Sequence, residues 1–384
     1  MKILLLAPHP FFQERGTPIA VRLLVEALHS YGHRVDILTY HEGADPPALD
    51  GVRIFRIAPP PFVHGVKPGF SIKKLVCDAF MWPRAIALAA RRRYDAVHAI
   101  EESVFMAMTT RVLFRIPYVY DMDSSLPQQL AEQCPPLGFL GPVLRWFETR
   151  GIRHAHCVVP MCDALAELAA ERGARRVTIL RDVPLVDVVD PPAGADAALP
   201  EMLERGTRFM YVGNLEPYQG VDLLLDGFKA LLDRTREAGL VIVGGAAADV
   251  RRYREAVASE PLRDHVQFTG PVPIGLMSDL FECADVLISP RIRGVNTPMK
   301  IYSYLFSGKP VIATDIPSHT QVLDPAIAEL VPTDANALAE AMHRLARDPD
   351  HGRDMGRRAR RIAEKKYSLD AFKQQAAAVY EHLV

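Results

Sequence analysis

The sequence predicts two doubly wound α/β domains, each built on a parallel sheet, facing one another across a cleft. Strand-length apolar runs alternate with helical patterns in both halves, from Lys2–Ala7 in the first and from Arg208–Val212 in the second. The chain has 384 residues, against the usual ~100–200 per domain, which favours two cores. Between Val183 and Gly206 the composition shifts to Pro, Ala, Gly and Asp, as in Asp190-Pro-Pro-Ala-Gly194, the best candidate linker. The expected division is a domain over residues 1–185, a linker over 186–206 and a second domain over 207–364.

In the first half, Lys2–Ala7 reads as a buried strand. After the loop Pro8–Gly16, Thr17-Pro18 carries the signal of a helix cap followed by proline. That helix runs to about Ser30 with Val21, Leu24, Val25 and Leu28 as its buried stripe, and Gly32 closes it. Val35–Thr39 and Gly51–Arg56 are the next strands, with Pro59, Pro60 and Pro61 in the loop that follows. From 66 to 93, basic residues (Lys67, Lys73, Lys74, Arg84, Arg91, Arg92, Arg93) interleave with Phe70, Leu75, Val76, Phe80, Met81 and Trp82. Such a segment suits an anionic membrane surface; the competing reading is an ordinary amphipathic helix with a solvated basic face. Asp95–Ile100 is a strand ending in Glu101-Glu102, and Pro117–Asp123 is the next. Their carboxylates fall at strand C-termini, the ligand edge of such a sheet, so Glu101 and Glu102 are acceptor-side candidates. Asp123 is a candidate for facing developing positive charge, or else caps the next turn through Ser124 and Ser125. Cys157–Pro160 and Val177–Leu180 complete the first set of strands.

In the second half the strands are Arg208–Val212, Leu240–Val243, Val266–Phe268, Asp285–Ser289, Val311–Ala313 and Ala328–Val331, and from Ala335 to Leu383 the pattern is mostly helical. The stretch Ser289–Thr314 is the most informative. Thr297 is a good N-cap and Pro298 a good first helical residue, Ile301, Tyr304 and Leu305 recur on one face, and Gly308 ends the helix. Lys300 sits in the first turn, where the helix dipole disfavours a cation, and Arg291 and Arg293 lie just upstream. Three cations beside a positive helix end point to an anion, most simply phosphate or diphosphate; the bland alternative sends them into solvent. Arg15-Gly16-Thr17-Pro18 is a second candidate anion-contacting turn, which the cleft would place opposite Asn296–Lys300.

Bulk properties narrow the function. With 49% hydrophobic and 24% charged residues and a net charge of −1, the chain reads as a soluble globular protein with no global case for nucleic acid. Five cysteines form no CxxC pair and no zinc-like spacing, which suits a reducing compartment. Ile3–Ala7 is too short for a signal-peptide core, and no stretch approaches the ~20 apolar residues of a membrane span. A cytoplasmic protein is expected, in peripheral contact with the inner face of the membrane if the segment 66–93 binds lipid.

Tyr211-Val-Gly-Asn-Leu-Glu-Pro-Tyr-Gln-Gly-Val-Asp-Leu-Leu-Leu225, the opening Gly loop and Lys300-Ile-Tyr-Ser-Tyr-Leu-Phe-Ser-Gly-Lys-Pro-Val-Ile-Ala-Thr314 together resemble the GT-B glycosyltransferases of family 4, over essentially the whole chain. The resemblance implies two Rossmann-like domains and retaining, metal-independent transfer of a sugar from a nucleotide donor, which is a substrate; no cofactor is implied. It also implies that the C-terminal domain holds the nucleotide, the N-terminal domain holds the acceptor, and a last helix, over 365–384, crosses back to the N-terminal domain. The diphosphate would rest on the helix start at Thr297, contacting the amides of Met299 and Lys300, and Gly16 matches the family's N-terminal glycine loop.

Several family positions differ. Asn214 and Gln219 stand where the family has a phosphate-binding Arg and Lys; Val295 and Ser303 replace its glutamate pair; and Asp123 replaces a histidine. Arg291, Arg293 and Lys300, with Arg15 from the other domain, would resupply the lost charge, and Arg grips phosphate in a way Asn and Gln do not. The expected function is therefore glycosyl transfer to a lipid-linked or polysaccharide-precursor acceptor, with Asp123 stabilising the sugar cation or orienting the acceptor. The alternatives are a non-catalytic nucleotide-sugar-binding or transferase-partner protein of the same fold, and an epimerase, for which no acid/base residues stand out.

Overall fold

The structure is a computed structural model and describes residues 1–13, 16–45, 49–66, 71–133, 139, 141–185, 206–259, 261–381 and 383. Arg15, Lys67, Phe70 and nearly all of the expected linker, 186–205, lie outside the described residues. The chain divides into two compact units, one of Met1–Asp182 with Asp370–Val384 and one of Val183–Leu369.

In the first unit the strands are β1 (Lys2–Ala7), β2 (Arg34–Thr39), β3 (Val52–Arg56), β4 (Ala96–Ile100), β5 (Tyr118–Met122) and β6 (Cys157–Pro160). The helices are α1 (Gly16–Ser30), α2 (Ile72–Arg91), α3 (Val104–Phe114), α4 (Leu126–Gln133), α5 (Gly141–His154) and α6 (Asp163–Glu171). The strands form one parallel sheet in the order β3-β2-β1-β4-β5-β6. Ile3 to Ala7 are all buried because helices cover both faces, and each large side chain so buried contributes about 1.5–3 kcal/mol. The expected strand Val177–Leu180 runs beside β6, bridging at Val177 to Val158 and donating from the amides of Thr178 and Leu180 to the carbonyls of Val158 and Pro160, but is too short to count as a strand of its own.

The second unit repeats the plan with β7 (Thr207–Val212), β8 (Ala238–Val243), β9 (Val266–Gly270), β10 (Val286–Ser289), β11 (Val311–Thr314) and β12 (Glu329–Val331). Its helices are α7 (Val221–Leu232), α8 (Ala247–Ala256), α9 (Met277–Glu282), α10 (Met299–Ser307), α11 (Pro317–Thr320), α12 (Ala335–Arg347) and α13 (Pro349–Lys366). The parallel order is β12-β11-β10-β7-β8-β9. Counted from β7, this is the same doubly wound order as the first sheet. Each sheet therefore has one switch point, between β1 and β4 and between β7 and β10, where the chain reverses its direction of winding, the usual ligand edge of such a sheet. The last helix, α14 (Leu369–Tyr380), belongs from Asp370 onward to the first unit, where the Tyr380 hydroxyl meets His98 Nδ1 of β4 at 2.6 Å.

Two helix starts differ from expectation. α1 already includes Gly16, so Thr17 lies inside the helix instead of capping it. At α10 the cap position falls on Pro298, whose backbone is extended (ψ 133°), and the first helical residue is Met299. The physical reason is local: Thr297 is buried and its hydroxyl makes no hydrogen bond, so no side-chain cap forms.

α10 is held by a close crossing with α13. A Cβ at Gly356 would collide with the carbonyl oxygen of Gly308, the residue that ends α10. Gly356→Ala is expected to cost about 1–3 kcal/mol through overpacking and to lower the thermal midpoint by several degrees. Differential scanning fluorimetry checks this; an unchanged midpoint would show that the two helices part without cost.

Candidate functional site

At the switch point of the second unit, Lys300 extends from the first turn of α10. Its ammonium donates to Gln219 Oε1 at 3.0 Å and lies 4.0 Å from the centroid of the Tyr211 ring. Gly213, the first residue after β7, leaves the space: a Cβ there would stand 2.9 Å from the Tyr211 hydroxyl oxygen and 3.2 Å from Lys300 Nζ. Desolvation, and after it the charge of Arg291, pulls the Lys300 pKa well below its usual value. A cation held this way, with neutral partners only, gains from the arrival of an anion.

Arg291 follows β10 and is wrapped by its own loop, donating to the carbonyls of Arg293 (2.8 Å) and Asn296 (3.0 Å), with its guanidinium 5.2 Å from the Tyr218 ring centroid. Gly294, at φ 130°, leaves room for that guanidinium. The loop is tied from outside by the amide of Ile292 to Tyr218 O (3.0 Å), by Gln321 Nε2 to Val295 O (2.7 Å) and by the Thr314 hydroxyl to Arg291 O. Beneath it lies His319, whose Nδ1–H donates to the Thr314 carbonyl at 2.8 Å while Nε2 accepts from the Ser289 hydroxyl at 2.9 Å. Burial, opposed by that carbonyl and reinforced by Lys300 and Arg291, brings the His319 pKa to about 4, so this histidine adds no charge.

Among the other expected donor residues, Arg293 is exposed and Asn214 accepts from the amide of Glu216 in a local turn at 3.3 Å. The Ser303 hydroxyl accepts from the backbone of Leu185 at 2.9 Å. The first N–H groups of α10, those of Met299 and Lys300 among them, have no partner within the helix, and the buried Thr297 hydroxyl stands beside them. Sequence reasoning missed Tyr211, Gln321 and His319; Ser289 and Thr314 were at least marked by their position at strand C-termini.

At the switch point of the first unit the chemistry is of opposite sign. Glu101 and Glu102 follow β4 and share Lys74 of α2, whose Nζ is 3.1 Å from Glu101 Oε2 and 2.7 Å from Glu102 Oε1. Lys74 therefore turns into the protein and leaves the solvated basic face on which it was expected. Burial would lower its pKa, but the two carboxylates outweigh burial and raise it. One lysine does not neutralise two acids. Burial raises the pKa of both; Lys74 outweighs it at Glu101 and holds that group low, while at Glu102 burial and the neighbouring charges of Glu101 and Asp78 prevail, to about 8.

Asp123, just beyond β5, is raised well above the carboxylate range by burial, then by Asp121, Glu101 and Asp182. At the start of the next helix Glu148 accepts from the Ser125 hydroxyl (3.0 Å) and the Leu126 amide (2.9 Å). Burial and Asp121 raise Asp182 to about 7. Asp121 itself receives His98 Nε2 at 3.0 Å, so Tyr380, His98 and Asp121 form a chain from α14 to β5. His9, two residues past β1, donates from Nδ1 to Pro10 O and keeps a buried Nε2 without a partner; burial lowers its pKa to about 4. Residue type at strand ends could have flagged His9 and Asp121, but nothing local marks Lys74 as internal.

Two Rossmann-like units with these sites at their switch points are the architecture of GT-B glycosyltransferases. Residues 15–181 match the family described as "Glycosyl transferase 4-like domain" and residues 206–348 the family "Glycosyl transferases group 1". The chain belongs to the GT-B glycosyltransferases of the family-4 type. It is 24% identical over 253 residues to an alpha-D-kanosaminyltransferase of Streptomyces kanamyceticus, covering 63% of this chain and 64% of that protein. It is 29% identical over 179 residues to a phosphatidyl-myo-inositol mannosyltransferase of Mycobacterium leprae, covering 46% of each. The chain thus spans between about half and just under two thirds of the length of these relatives. In fold it is similar to the sucrose-phosphate synthase of Thermosynechococcus elongatus, with TM-score 0.77 and 22% identity over 100% of this chain and 98% of that one.

The crowded carboxylates predict a pH signature. Glu102 has a folded pKa raised from 4.5 to about 8, so its contribution to stability is present below 4.5 and is lost as pH rises through 8. The thermal midpoint should therefore fall across that interval, and Glu102→Gln, which stays neutral, should flatten the fall. Melting curves of the two proteins across that interval check it; parallel curves would assign the proton elsewhere.

Proposed function

We propose that the chain is a retaining glycosyltransferase that moves a sugar from a nucleotide-sugar donor to a lipid-linked or polysaccharide-precursor acceptor, without a metal in the transfer step. The single observation that supports this most is the desolvated ammonium of Lys300 at the uncapped start of α10. The donor diphosphate would bind there, taking hydrogen bonds from the helix amides and charge from Lys300, Arg291 and Arg293. As the bond from the anomeric carbon to the diphosphate breaks, that negative charge grows, and the same groups stabilise it most at the transition state. The acceptor hydroxyl attacks from the side the diphosphate leaves, and its proton passes to the departing phosphate oxygen. Asp123 and the Glu101–Glu102 pair would orient the acceptor or face the oxocarbenium-like sugar. The two curated relatives are named as transferases of sugar units, one of them onto a phosphatidyl-inositol, which is in keeping with this reading.

The deciding experiment is mass spectrometry of products after incubation with mixed nucleotide-sugars and a membrane extract. Binding without turnover in every mixture would sink transfer and favour a partner role. Lys300→Ala should reduce donor affinity or kcat/KM at least tenfold, about 1.4 kcal/mol. Because an anion beside Nζ raises its depressed pKa, donor binding at mildly alkaline pH should take up protons in the wild type and fewer in Lys300→Ala. Calorimetry in buffers of different ionisation enthalpy measures this, and identical uptake in both proteins would remove Lys300 from the phosphate site.

Contact with an anionic membrane through 66–93 belongs to the same proposal. On α2, Ile72, Leu75, Phe80 and Trp82 are exposed apolar residues, and Lys73 and Arg84 are exposed beside them. Among the described residues no helix is long and apolar enough to cross a membrane. Co-sedimentation with anionic vesicles that weakens with salt is the expected result; no binding at low salt would count against the surface.

A further inference from the structure

His41, Glu42 and His64 gather at the C-terminal edge of the first sheet. His41 and Glu42 follow β2, and His64 lies in the loop between β3 and α2. One ligand atom from each of the three lies within 4.8 Å of the others. We propose that these side chains bind one zinc ion, which fastens the β3–α2 loop to the end of β2.

The chemistry of the three residues supports it. Two imidazoles and one carboxylate form a zinc donor set with a fourth position left for water. His41 donates from Nε2 to the carbonyl of Val63 at 3.0 Å, since a carbonyl only accepts. Its Nδ1 therefore carries a lone pair, is buried and has no hydrogen-bond partner. One nitrogen committed to a backbone carbonyl and the other uncommitted is the state in which a histidine serves as a ligand. Glu42 is oriented in the same manner: its two oxygens accept from the amides of Gly65 (2.6 Å) and Val66 (3.0 Å), and each oxygen keeps a second lone pair. Those hydrogen bonds overcome the effect of burial and hold the carboxyl below its usual pKa, so it is charged.

His64 is the adjustable member. It is exposed, its ring centroid is 6.4 Å from that of His41, and its backbone is held by Lys73 Nζ at 2.6 Å. Tetrahedral zinc with bonds of ~2.0–2.1 Å needs ligand atoms about 3.3 Å apart. The His41 ring already lies beside the Glu42 carboxylate, its Nε2 3.8 Å from Oε1, and the ion would draw the exposed His64 side chain toward that pair. A loop that already has its backbone carbonyl at 63 and amides at 65 and 66 bound to His41 and Glu42 gains a third tie through the metal, and the ion joins residues more than twenty positions apart in the chain.

Titration of the metal-free full chain with Zn²⁺ by calorimetry, in competition with a chelator, tests this without reference to any transferase activity. One zinc per chain is expected. His64→Ala, at an exposed position that leaves the fold intact, should weaken binding at least tenfold, His64→Cys should recover much of it, and His351→Ala, at an exposed histidine elsewhere, should change nothing. Binding below one equivalent, or equal affinity in wild type and His64→Ala, overturns the proposal.

Discussion

Covering a parallel sheet with helices on both faces leaves little room for charge within it, and the buried Asp36 of β2 is met there by Lys2, Arg53 and Arg92; that constraint arranges much else in each unit. Side chains in the middle of β1, β4, β7 and β10 are buried and mostly apolar, such as Leu4–Leu6, Val97, Phe209–Tyr211 and Leu287–Ile288. Polar groups are pushed to the strand C-termini, and the reversal of winding at the switch point keeps two neighbouring loops apart so that a ligand can enter between them. The groups that sit there are partly stripped of water, and their charges act over short distances at full effect.

The two units use that condition oppositely. The first pairs Glu101 and Glu102 with Lys74, sets Asp121, Asp123 and Asp182 against one another nearby, and relieves the repulsion by retaining protons on some of them. The second assembles Lys300, bonded to the Gln219 amide and set over the Tyr211 ring, with Arg291, bonded to the carbonyls of its own loop and set over the Tyr218 ring. Its buried histidine, His319, is neutral and serves as a hydrogen-bonded post beneath the Arg291 loop. The Lys300 ammonium, held by an amide oxygen and an aromatic ring, is a charge that an incoming anion would stabilise. Replacement of the family's Lys by Gln219 fits this arrangement, because Gln219 accepts from Lys300 where a second ammonium would repel it.

What could be read early was local. The alternation of apolar runs with helical stripes anticipated the sheets, and the run of cations before α10 marked where positive charge gathers in the second unit, because both signals lie in residues close along the chain. The helix caps were misplaced by one residue or more, since Thr297 turned out to be packed inward and not available to bind its own helix. Lys74 was read as part of a basic surface because the pattern around it is basic; only the fold shows that the next strands deliver two carboxylates to it.

The sequence by itself determined the class of fold and the place where charge accumulates, for those follow from periodicity, strand ends and turn residues. The tertiary structure alone decided which charges survive and which side chains meet. Tyr380 reaches His98 across 282 positions, Gln219 reaches Lys300 across 81, and Lys74 reaches Glu101 across 27. No local pattern encodes such partners, and protonation depends on them and on how much water the fold leaves beside each group.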